Sequence, residues 1–88
     1  MARFFFDVFD PRITNYDLDG IECADRAAVS EEALRALCEI AADEPERYLD
    51  QNLRVVVRDD AHRVVMTASV GLTAAWHAEG EQAARDAA

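Results

Sequence analysis

The sequence predicts an α+β domain of β-β-α-β-β order, and three observations lead there. The opening "RFFFDVF" is aromatic and β-branched and closes on "DPR"; residues 27–41 carry apolar side chains at helical spacing; "LRVVVRD" and "RVVMTASV" are two Val-rich runs split by "DAH". Such a chain forms one sheet of about four strands with one main helix on one face and a short helical C-terminus.

Each element follows from its residues. Along residues 3–9 a period of two sends Phe4, Phe6 and Val8 to one face and Phe5, Asp7 and Phe9 to the other. "ITNY" and "GIECA" form a second strand, broken at "DLDG", that pairs back on the first. From Asp25 the period becomes helical. Ala27, Val29, Ala33, Leu34, Leu37, Cys38, Ile40 and Ala41 gather on one arc, opposite Glu31, Glu32, Arg35, Glu39 and Asp43. Asp25 is the expected N-cap, with Ser30 as the alternative, and Pro45 ends the helix because it drives the preceding residue out of the α region. In the late hairpin Leu53, Val55, Val57, Val64, Met66 and Ala68 face the helix, leaving Arg54, Val56, Arg58, Val65 and Thr67 outside. "LTAAWHA" has helical composition with Trp76 as its anchor.

The chain has 88 residues, which is room for one domain. Residues 1–78 are expected to form it and residues 79–88 to be a mobile tail. Eighteen acidic residues against nine basic ones give a formal charge of −9, a field that repels phosphate backbones and anionic membranes. Neither nucleic acid nor a membrane is therefore an expected partner. No apolar run reaches a membrane span, and "MARFFFDVFD" places acidic residues where a signal peptide needs apolar ones, so a cytoplasmic protein is expected.

"NYDLDGIECADR" puts Asn15, Asp17, Asp19 and Gly20 on the first, third, fifth and sixth places of a calcium loop. The twelfth place, which needs a bidentate Glu, is Arg26, and a strand and a proline turn precede the loop where a helix is required. Asp17, Asp19 and Gly20 are thus read as turn residues, and no metal or cofactor is expected. Cys23 and Cys38 have no motif spacing; in a reducing compartment both are free thiols with structural roles. His62 and His77 stand apart from any second ligand or nucleophile, three glycines build no phosphate loop, and carboxylate pairs in so acidic a chain single out no acid or base. No catalytic residue emerges.

With "RFFFDV", "DLDGIECADRAAVSEEALRALCEIA" and "LRVVVRDDAHRVVMTASV" in place, the chain resembles a family of short bacterial proteins known only as a domain of unknown function. The resemblance covers about residues 3–70. Its members carry Gly in the late hairpin turn where this chain has His62. It implies a small cytoplasmic domain and brings no activity or cofactor with it.

The functional expectation is a self-associating interaction module. One helix covers one sheet face, and the other still carries Phe5, Phe9, Val56 and Val65, an apolar patch that a homodimer would bury; the competing readings are that "LTAAWHA" with Trp76 folds back over it or that the tail shields it. The alternative is an acidic accessory or decoy protein for a basic protein partner, in the manner of an antitoxin; the third is a small ligand binder or enzyme.

Overall fold

A computed structural model describes residues 1–78. The predicted mobile tail, 79–88, lies outside them. The elements are β1 (Ala2–Phe9), β2 (Thr14–Asn15), β3 (Ile21–Cys23), α1 (Arg26–Asp43), a short 3₁₀ helix (Pro45–Tyr48), β4 (Asn52–Arg58) and β5 (Val64–Gly71). This is the expected α+β domain of β-β-α-β-β order.

All strand pairs are antiparallel, in the order β2-β1-β4-β5, and β3 pairs with β1 as well. The returning strand is indeed broken at "DLDG": β2 pairs with the end of β1 at Val8 and Phe9, β3 with its start at Ala2 to Phe4. β4 lies on the opposite side of β1, so α1 carries the chain across the sheet. Its start is capped as expected, the Asp25 carboxylate accepting from the Ala28 N–H at 2.9 Å, and it stops at Asp43, just before Pro45.

The core is Phe6, Cys23, Val29, Ala33, Leu37, Ala41, Tyr48, Leu53, Val55 and Val57, all buried between α1 and the sheet. The parity of β4 is as predicted. The helix, however, is rotated relative to the expected arc: Val29, Ala33, Leu37 and Ala41, one per turn, face inward, while Leu34 is 50% exposed and Ala27 and Cys38 are exposed too. Apolar residues occupy almost half of the helix circumference, and the sheet can cover only the stripe that points at it. Cys38, expected on the apolar arc, is therefore exposed. Both thiols are free, but Cys23 is the buried one. Burial, with Glu32, Asp25 and Glu22 nearby, raises its pKa and keeps it a thiol.

Two further corrections fall on the late hairpin and the chain beyond it. β4 and β5 slip by one residue at a bulge, where Val57 pairs with Met66 but Arg58 pairs with Val64. Val65 is the extra residue, and it lines a hollow on the helix side with Phe4, Val29 and Met66, while Val64, expected on the core, is 61% exposed. The turn itself is closed by His62 at φ 64°, the left-handed conformation that a glycine would supply without strain. After β5, Leu72 is held by hydrogen bonds with Tyr48 and Asp50, and residues 73–78 form no helix. An isolated segment this short gains too little from its own hydrogen bonds to stay helical, and Trp76, its expected anchor, is fully exposed and packs on no core.

Candidate interaction surface

The outer face of the sheet brings Phe5, Phe9 and Val56 together, as the strand period requires, but it is not bare. Arg54 lies over the Phe9 ring at 4.5 Å and Arg58 over the Phe5 ring at 5.1 Å, each the cross-strand partner of the ring it covers. Tyr16 meets the Phe9 ring edge-on at 6.2 Å. The rings are only partly exposed as a result. Val65 is turned away from this set by the bulge.

Asp7 is buried between the two arginine-covered rings, at 3% exposure. A carboxylate there must be satisfied, and it is: Arg58 donates through Nε to Oδ2 at 2.6 Å and through Nη2 to Oδ1 at 3.1 Å, and the Asp17 N–H donates to Oδ1 at 3.0 Å. The paired Arg58 guanidinium, ahead of the Asp17 N–H and against the cost of burial, holds the Asp7 carboxyl below its ordinary value.

The "DLDG" stretch is explained by this brace. Asp17 stands where the second strand breaks, and its carboxylate accepts from the N–H groups of Phe6 at 3.1 Å, Gly20 at 3.0 Å and Asp19 at 3.2 Å. Burial opposes its ionisation, but those three donors outweigh it and lower its pKa. Its side chain thus replaces the ladder bond that β2 and β3 leave open. Gly20 is fixed by geometry as well: at φ 74° an added Cβ would lie 2.8 Å from Arg3 Cγ and 3.0 Å from the Phe4 carbonyl oxygen. Gly20→Ala is expected to cost about 2 kcal/mol, combining left-handed strain with this crowding, read from the urea midpoint. A second carboxylate, Asp10, ties the β1–β2 turn to the 3₁₀ helix by accepting from the Tyr48 hydroxyl at 2.6 Å and from Arg47 Nη1 at 3.3 Å.

The two edges of the sheet differ. On one side, β2, the Asp17 brace and β3 cover β1 along its length. On the other, no strand lies beside β5 among the described residues, and its eight residues, "VVMTASVG", carry no charge. Natural edge strands are ordinarily blunted by charge, proline or a covering loop. On α1, Ser30 shares the hollow with Val65 and Met66, and Leu34 and Cys38, one and two turns further along the helix, are exposed. The hollow, about 710 Å³, lies between the start of α1 and the start of β5; Phe4, Val29, Val65 and Met66 give it an apolar lining, and Arg26, Asp59 and Asp60 add charge.

These elements, from the Arg3–Glu22 ion pair across β1 and β3 to the end of β5, coincide with one recognisable unit. A family described as Domain of unknown function (DUF6894) matches residues 3–71. The chain belongs to this DUF6894 family. No curated protein and no solved structure matches it. In this DUF6894 member, the open edge of β5 and the hollow beside it escaped prediction from sequence, because edge position depends on strand order. The one available signal was "VVMTASVG", eight uncharged residues in a chain of charge −9. Among the described residues no helix is long and apolar enough to cross a membrane.

Proposed function

We propose that this DUF6894 protein is a self-associating interaction module, a homodimer whose two copies join along β5 into one continuous sheet. The observation that carries this reading is the open, uncharged edge of β5. An antiparallel pair of identical edge strands is self-complementary about a two-fold axis, so each copy supplies what the other lacks. Charge favours the same place: two chains of −9 repel each other, and a strip without acidic side chains is where they can approach. The arginine-covered rings of Phe5 and Phe9 make the outer face the weaker choice. The proposed role is non-catalytic and, with two free thiols, cytoplasmic.

Sedimentation equilibrium at micromolar concentration tests it. The expected mass is twice the 9.8 kDa of the chain. Thr67→Lys combined with Ser69→Lys, on exposed positions of β5, sets like charges against each other across the axis and should return the protein to a monomer with unchanged circular dichroism. A monomeric wild type would remove the proposal. A second reading, the acidic decoy, is supported by Glu31, Glu39 and Asp43, which stand exposed on the outer side of α1. Capture of a basic protein that moderate salt releases would favour it.

A further inference from the structure

We infer that the hollow beside β5 is a docking site for the Trp76 segment of the second copy, so that each subunit completes the other. This rests on the self-association proposed above and goes beyond it, naming the occupant of a site that the described residues of one chain leave unfilled.

Trp76 is the only tryptophan and is fully exposed, although an indole is among the most favourable side chains to bury. The hollow offers an apolar lining in Phe4, Val29, Val65 and Met66, with Asp60 as an acceptor for an indole N–H and Arg26 as a cation for its ring face, while Asp59 is held by the Ala61 and Arg63 N–H groups and by Arg63 Nε. The two complement each other chemically, but they lie at opposite ends of β5.

Reach decides between the same chain and another. From Gly71 back to Val65 is six residue steps, about 20 Å of strand. Leu72 is pinned in line with β5, its N–H donating to the Tyr48 carbonyl and its own carbonyl accepting from the Asp50 N–H. From Leu72, four residues to Trp76 span at most about 14 Å. The segment would also have to reverse direction, so Trp76 does not reach the hollow of its own chain. Antiparallel pairing of two β5 strands removes both obstacles: with Val64 of one copy opposite Gly71 of the other, the chain leaving β5 runs forward past the second copy's hairpin turn. Its hollow then lies within the reach of those four residues.

The emission of Trp76 in the full chain reports on this directly. Above the dimer dissociation constant, emission should be blue-shifted and shielded from iodide; on dilution it should move to that of a water-exposed indole, in step with the loss of dimer in sedimentation. Trp76→Ala should weaken dimerisation at least tenfold without altering the circular dichroism. Val65→Asp, which puts a carboxylate in the hollow, should weaken it similarly, and the double variant should be no weaker than either single one. A dimer whose Trp76 emission stays red and quenchable would overturn the docking while leaving β5 pairing intact. A chain that remains monomeric would remove both, and blue-shifted emission in a monomer would show docking within one chain and refute the exchange.

Discussion

Asp7→Ala is expected to lower stability by about 3 kcal/mol, a large part of the roughly 5–15 kcal/mol that holds a small domain together. The residue is buried on the outer face, and three hydrogen bonds converge on its carboxylate. Its removal leaves the Arg58 guanidinium, itself largely covered, without its paired carboxylate and the Asp17 N–H without that acceptor, on the strand pair that holds β1 to β4. The same carboxylates set the response to acid. Asp7, Asp10, Asp17 and Asp59 all titrate below their ordinary 3.8 in the folded chain. Around and below that value the unfolded chain therefore binds more protons than the folded one. Their stabilisation is complete above about pH 4 to 5 and is lost as pH falls through the folded values. Urea midpoints taken from pH 7 to pH 2.5 should fall in that window, and Asp7→Asn should make the fall shallower. Midpoints independent of pH there would contradict the brace.

Leu37→Ala and Leu34→Ala should differ by several-fold although both are leucines on one helix. Leu37 is 2% exposed and packs among Phe6, Val55 and Val57, so truncation removes its transfer free energy and leaves a cavity, about 3 kcal/mol in all. Leu34, half exposed, should cost no more than about 0.5 kcal/mol in the monomer. Equal losses would put both side chains in the core and return the helix to the phase its periodicity suggests.

That contrast marks where the sequence was legible. The Asp25 cap, the stop at Pro45 and the parity of Leu53, Val55 and Val57 are local rules, and they hold. The phase of α1 is not local: Ala27, Leu34 and Cys38 widen the apolar arc, and only the position of the sheet decides which stripe is covered. The bulge that diverts Val65 depends on how β4 and β5 are registered at a turn closed by His62. Asp7 and Arg58 are 51 residues apart, and their pairing requires β1 beside β4. The candidate site was legible in part. Phe5, Phe9 and Val56 do share a face, but the arginines that cover the rings lie on the neighbouring strand, and the exposed edge of β5 follows from a strand order that no local pattern encodes.

Amide hydrogen exchange along β5, followed at two protein concentrations on either side of the dimer dissociation constant, tests the proposed pairing most directly. In a lone chain the outward N–H groups of residues 64–71 face solvent and should exchange fast, while those bonded to β4 are protected. Pairing of two copies predicts that these outward amides, and not those of β2 or of the loop after Asp17, become slow at the higher concentration. Exchange along β5 that is the same at both concentrations, in a sample that sediments as a dimer, would place the contact elsewhere.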